Sequence, residues 1–252
     1  METHLIIKGL AFFVGPYNNV KDEILRQITL RNGLIVLPCS LHDLASASLY
    51  PELKNYYRRV DICTTDGTPL VWWATLQARQ RVDRVYGPDL MKSILVDVQG
   101  DHFRHVFCGS SPVRLKSLVE SIFKIAPKTH IMGTFTPTIH IKETKEEKEC
   151  LQKVIDCRPS ILWIGISSPK QVVLASRWKR YFPHTTIFCV GAALDLISGA
   201  IPVVPRWMQY LGLEWLFRLM VEPRRLYKRY LFLIPKFLLQ EALIRLRGYF
   251  LF

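Results

Sequence analysis

The chain reads as an α/β protein: a mostly parallel sheet flanked by helices, in the manner of a Rossmann-like core, followed by a C-terminal helical appendage suited to a membrane surface. Three observations predict this. Short apolar runs rich in β-branched residues alternate with helical stretches through the first 199 residues. Several runs are apolar on both faces, as strands covered by helices on both sides must be. Finally, the composition shifts near residue 200, dividing a core (1–199) from a basic, aromatic appendage (200–252).

The opening stretch METHLIIKGLAFFVGPYNNV is apolar but too short and interrupted for a signal peptide. The predicted strands are GLIVLP (33–38), RHVFCG (104–109), THIMG (129–133), SILWIGI (160–166) and TTIFCVG (185–191), each followed by Gly, Ser or Pro. Between them, SSPVRLKSLVESIFKIAP predicts a helix with Ser111 as N-cap and Pro112 at its first position, and with Leu115, Leu118, Val119 and Ile122 on one stripe. KETKEEKECLQKVIDC predicts another, charged at first and amphipathic through Leu151, Val154 and Ile155. No internal repeat or low-complexity linker interrupts this order.

At 252 residues, 49% hydrophobic and 22% charged, the chain can bury one substantial core and is not disordered. Its net charge of +13 favours acidic partners: nucleotide phosphates, anionic lipid or nucleic acid. The six cysteines (Cys39, Cys63, Cys108, Cys150, Cys157, Cys189) form no CxxC pair, and buried reduced thiols are expected. His102 and His105 make an HxxH without a carboxylate or cysteine at ligand spacing, so no metal site is expected. No run reaches the roughly 20 apolar residues that span a bilayer, so a peripheral rather than integral protein is expected.

From residue 201 to 252 there are nine Lys/Arg against three Glu, interleaved with Trp207, Tyr210, Trp215, Phe217, Tyr227, Tyr230, Phe232, Phe237, Tyr249, Phe250 and Phe252. Pro202, Pro205, Pro223 and Pro235 are expected to cut the stretch into short pieces. Such a segment suits an anionic membrane surface, with apolar bodies inserted and basic heads at the headgroups. The same surface also suits a helical interface in a homo-oligomer. Nucleic acid is the remaining reading, but no binding motif accompanies the charge and none is expected.

Few residues carry chemistry by themselves. Asp66-Gly67 follows an apolar stretch, where a carboxylate could stand at a strand's C-terminal end, although Asp-Gly is also an ordinary turn. Gly109-Ser110-Ser111-Pro112 joins a strand to a helix, either as a phosphate-receiving turn or as a plain connection. Ser167-Ser168-Pro169-Lys170-Gln171 follows a strand in the same way. Asp195 is either a helix-start carboxylate or a ligand to a hydroxyl. No Ser-His-Asp order, nucleophile elbow or paired carboxylates are visible.

Taken together, TTDGTPLVWW, DRVYGPDLM, FCGSSPVRL, WIGISSPKQ, VGAALDLISG, PRWMQYLGLEWLFRL and EPRRLYKRY resemble the WecG/TagA/CpsF glycosyltransferases, in family order from about residue 33 to 235. The resemblance implies an inverting, metal-independent transferase without a cofactor, peripheral on the cytoplasmic face of the bacterial inner membrane. It implies a UDP-sugar donor and an undecaprenyl-diphosphate-linked acceptor, and an appendage that docks on the membrane and completes the active site. Asp66 falls on the family's general base; Arg84 and Gln171 match positions near the donor and active site; Arg218, Arg225 and Lys228 match basic positions of the appendage. Gly109 and Asp195 join Arg84 and Gln171 as substrate-binding candidates.

Two departures stand out. A Thr-x-Asn common in the family reads Leu37-Pro38-Cys39 here, expected to remove two polar side chains from the pocket, and PKQE reads Pro169-Lys170-Gln171-Val172. The LVWW and SSPKQ variants resemble exopolysaccharide members, in which glucose or glucuronate donors occur. The altered pocket also motivates a second reading: a non-catalytic subunit that binds nucleotide or lipid within a polysaccharide-assembly complex.

Overall fold

A computed structural model describes residues 3–109, 111–140 and 143–249. Eight strands form one sheet: β1 (Thr3–Ile7), β2 (Leu10–Val14), β3 (Ile35–Cys39), β4 (Ile62–Thr65), β5 (Arg104–Gly109), β6 (His130–Phe135), β7 (Ile161–Gly165) and β8 (Thr186–Cys189). Their order is β1-β2-β4-β3-β8-β7-β5-β6, and all neighbours are parallel except β1 against β2. Every residue of β3, β4, β7 and β8 is buried, as expected of strands sandwiched between helical layers.

The N-terminal apolar stretch is the hairpin β1–β2. Its two-residue turn, Lys8-Gly9, has positive φ at both positions (54° and 79°), the turn whose twist matches paired strands. The short apolar run before Asp66 is β4.

One core face carries a row of stacked rings across β5, β7 and β8. Trp163 lies 6.2 Å from Phe107 and 4.4 Å from Phe188, centroid to centroid. His105 joins the row: its Nδ1 accepts from Trp163 Nε1 at 3.1 Å, and its Nε2 donates to the Val98 carbonyl at 3.1 Å. Burial pushes its pKa down to about 4, so it is a neutral core side chain. His102 is exposed, and the HxxH is no ligand pair. All six cysteines are free thiols, four of them buried.

Helix Pro112–Ile125 starts after Ser111 and buries Leu115, Leu118 and Ile122, with Val119 half-buried beside them. Helix Lys145–Asp156 buries Leu151 and Val154. Ser110 of the first connection, and Phe250 and Phe252 of the aromatic set, lie outside the described residues.

The appendage is helical: Arg206–Tyr210, Glu214–Val221, Pro223–Lys228 and Ile234–Tyr249. One expectation is corrected here. Pro235 does not cut the chain, because Arg229–Leu233 form a π turn that joins helix Pro223–Lys228 to helix Ile234–Tyr249. Pro235 has no N–H for an ordinary helical bond, and a locally widened turn accommodates that loss. The last helix docks on the core through Phe237, which is fully buried and stacks on Trp73 at 6.4 Å.

Candidate active site

A cavity of about 460 Å³ opens where β3, β4, β7 and β8 end, with the appendage forming its far wall. In the sheet β3 has β4 on one side and β8, from the far half of the chain, on the other. Crevices at the carboxyl ends of strands near such a crossover are where α/β folds bind ligands. Packing is close at the end of β7: a Cβ on Gly165 would stand 2.3 Å from Leu194 Cγ and 2.7 Å from the Gly191 carbonyl oxygen. Ser167, on the wall, holds φ at 77°, a conformation sparsely used by non-glycine residues and concentrated at functional sites.

Asp66 follows β4, and its backbone N–H donates to the Cys39 carbonyl at 3.0 Å. Its side chain is 26% exposed, yet Oδ1 is buried without a hydrogen-bond partner. Burial pushes the carboxyl up to about 6, against the opposing pull of Arg84 and Arg218. Arg84 Nη2 stands 3.6 Å from Asp66 Oδ1, and Arg84 Nε donates to the Asp66 carbonyl. The same guanidinium grips Glu214 of the appendage with both terminal nitrogens, Nη2 at 2.8 Å from Oε2, and lies over the Tyr86 ring at 4.3 Å. Arg218 donates to the Tyr86 hydroxyl at 3.2 Å. Arg84 thus fastens the appendage to the core beside Asp66, and Glu214 neutralises much of its charge.

A second polar cluster lies at the end of β3. Ser40 caps helix Leu41–Leu49: Asp43 Oδ2 accepts from the Ser40 N–H at 2.9 Å and from its hydroxyl at 2.6 Å. Tyr57 donates to Asp43 Oδ1 at 3.0 Å. Burial works to raise the Asp43 carboxyl, but His42, Arg229 and the Ser168 and Ser40 hydroxyls hold it below its ordinary value. Gln171 bridges β8 and the Ser168 loop: Nε2 donates to Ser168 Oγ at 3.0 Å and to the Cys189 carbonyl at 3.2 Å, and Oε1 accepts from the Gly191 N–H at 2.8 Å.

Of the candidates, Asp66, Arg84, Gln171, Arg218 and Arg225 line this one cavity. Gly109, Asp195 and Lys228 are not brought to it. Leu115 packs over Gly109, leaving no room for a Cβ. Asp195 is bound by Arg114 at 2.9 Å, and Lys228 is exposed near the Tyr227 ring. Leu37 and Cys39 require a correction: both are fully buried in the core, and the neighbours that alternate with them, Pro38 and Ser40, line the cavity. In this fold the departure at those positions does not face the cavity. Sequence reasoning did not single out Ser40, His42, Asp43, Tyr86, Glu214 and Arg229, although Tyr86, Glu214 and Arg229 stand in the family-like stretches and Ser40-x-x-Asp43 is a capping pattern.

A doubly covered, mostly parallel sheet with a carboxylate and several arginines at its carboxyl edge has the architecture of an α/β enzyme. The chain belongs to the glycosyl transferase WecG/TagA/CpsF family, whose model matches residues 6–249. It is similar to the N-acetylglucosaminyldiphosphoundecaprenol N-acetyl-beta-D-mannosaminyltransferase of Bacillus spizizenii, 23% identical over 187 residues, covering 74% of this chain and 70% of that protein.

Proposed function

We propose that this chain transfers a sugar from a UDP-sugar to an undecaprenyl-diphosphate-linked N-acetylglucosaminyl acceptor, with inversion and without a metal, in cell-surface polysaccharide assembly. The observation that carries this reading is the Asp66 carboxylate, which lines a cavity shared with Arg84 and Arg218 and has one oxygen without a hydrogen bond. In the reaction, an acceptor hydroxyl gives its proton to Asp66 as its oxygen bonds to the anomeric carbon. The bond from that carbon to the diphosphate oxygen breaks, and the electron pair leaves with UDP. Arg218 supplies positive charge for the departing diphosphate, and Arg225, ion-paired with Glu222, also lines the cavity. The family and the relative's substrate support this reading.

Asp66 must be ionised to accept a proton, and burial pushes its pKa up to about 6. The expected kcat/KM profile is flat above neutrality and falls about tenfold per pH unit below about pH 6. An acid limb near pH 4, where ordinary aspartates titrate, would remove the buried Asp66 from the rate-controlling step.

We further propose that the chain lies on an anionic membrane surface through its appendage. Among the described residues, no helix is long and apolar enough to cross a membrane. Trp207, Leu211, Met220, Phe232, Leu239 and Leu243 are nevertheless exposed, and they are interleaved with basic residues. Replacing Phe232 and Leu239 together by serine is expected to weaken binding to vesicles containing anionic lipid at least about tenfold, from the apolar area lost. Unchanged co-sedimentation would place the membrane contact elsewhere.

A further inference from the structure

The Asp66 cluster accounts for part of the cavity. Beside it, at the end of the neighbouring strand β3, lie two buried polar atoms without hydrogen-bond partners: His42 Nδ1 and Arg229 Nε. His42 is 8% exposed and lines the cavity, as does Arg229. The two are close enough that the Arg229 charge, after burial, helps hold the His42 imidazole down at a pKa of about 4. His42 is therefore neutral, and in one tautomer Nδ1 carries a hydrogen to donate. Arg229 is oriented by a chain of bonds from below: Nη2 donates to Ser40 Oγ at 3.0 Å, Ser40 Oγ donates to Asp43 at 2.6 Å, and Tyr57 holds Asp43 from the other side.

Leaving buried polar groups unpaired costs about 1–3 kcal/mol each, so their convergence in one cavity points to a ligand that pairs them. A guanidinium with a free Nε and a neutral imidazole N–H, beside the first turn of helix Leu41–Leu49, present donors and a positive charge that the Asp43 carboxylate behind them balances only in part. This chemistry fits a phosphate oxygen.

We infer that His42 and Arg229 form a phosphate-binding subsite at the end of β3, next to the Asp66–Arg84–Arg218 cluster, with Asp43 and Ser40 as its positioning residues. The inference rests on the proposed transfer reaction, which brings two diphosphates into one cavity: that of the nucleotide and that of the polyprenyl carrier. It also makes Arg229, rather than its exposed neighbour Lys228, a cation of the cavity.

The test is titration calorimetry of UDP and of farnesyl diphosphate with the full chain and the variants Arg229→Gln, His42→Phe and Ser40→Ala, each checked for cooperative thermal unfolding. Arg229→Gln is expected to weaken one of the two ligands, or both, about tenfold, and His42→Phe the same ligand less strongly. A loss confined to UDP assigns the subsite to the nucleotide; a loss confined to farnesyl diphosphate assigns it to the lipid carrier; a loss for both makes it a shared phosphate site. Ser40→Ala removes the docking bond but keeps the cation, and is expected to cost less than about threefold. Folded Arg229→Gln that binds both ligands within twofold of wild type overturns the inference. So does Ser40→Ala that loses as much as Arg229→Gln, since Arg229 would then only fasten the appendage. If wild type binds neither ligand, the transfer reading itself fails; if wild type and variants bind alike, only the subsite does.

Discussion

Asp66→Asn is expected to lower kcat for sugar transfer by about 10³, within the ~10²–10⁴ that a general base contributes. The amide keeps the shape and the neighbours of the carboxyl but cannot take the acceptor's proton. Binding of UDP is expected to stay within about threefold, because Asp66 presents no positive charge to a phosphate. Stability separates lost chemistry from lost fold. The Asp66 pKa is raised by burial to about 6, so the folded state favours the neutral carboxyl. That contribution is fully present below the unfolded pKa of about 4 and is lost as pH rises through about 6. Asp66→Asn is therefore expected to be more stable than wild type at pH 8, by at most about 3 kcal/mol, and equally stable at pH 4. A variant less stable at pH 8 would show that the carboxylate supports the fold.

Arg218→Gln is the second large effect, an expected loss of about 10²–10³ in kcat. Arg84 is held bidentately by Glu214, whereas Arg218 donates to a neutral phenol, the Tyr86 hydroxyl, and keeps its charge for the cavity. It also draws the Asp66 pKa downward. Removing it should therefore move the acid limb of the rate profile above pH 6 as well as lower the plateau. A drop in kcat with an unmoved limb would place Arg218 away from Asp66 in the working enzyme.

Much of the α/β plan was legible because its signals are local. RHVFCG became β5 at the expected residues, and the SSP start of helix Pro112–Ile125 stood where Ser and Pro at a helix start place it. The hairpin β1–β2 escaped because an edge pair in an apolar stretch shows little alternation, although Lys8-Gly9 was a turn signal. Asp66 could be placed at a strand end, but its environment depends on partners far away in sequence: Arg84 and the appendage residues Glu214 and Arg218. The same long-range assembly explains why Lys228 and Arg229, adjacent in sequence, end on different surfaces, and why the wall at the end of β3 belongs to Pro38 and Ser40 rather than Leu37 and Cys39. Side-chain facing inside a fully apolar strand cannot be read from composition, because both faces are buried.

The most direct measurement is UDP release by the purified full chain on acceptor-containing vesicles, comparing wild type with Asp66→Asn. The expected result is release that requires the undecaprenyl-diphosphate-linked acceptor, matches glycosylated lipid mole for mole, and nearly vanishes in Asp66→Asn. Release at the same rate without acceptor, or wild-type product formation by Asp66→Asn, would contradict a transferase that uses Asp66 as its base.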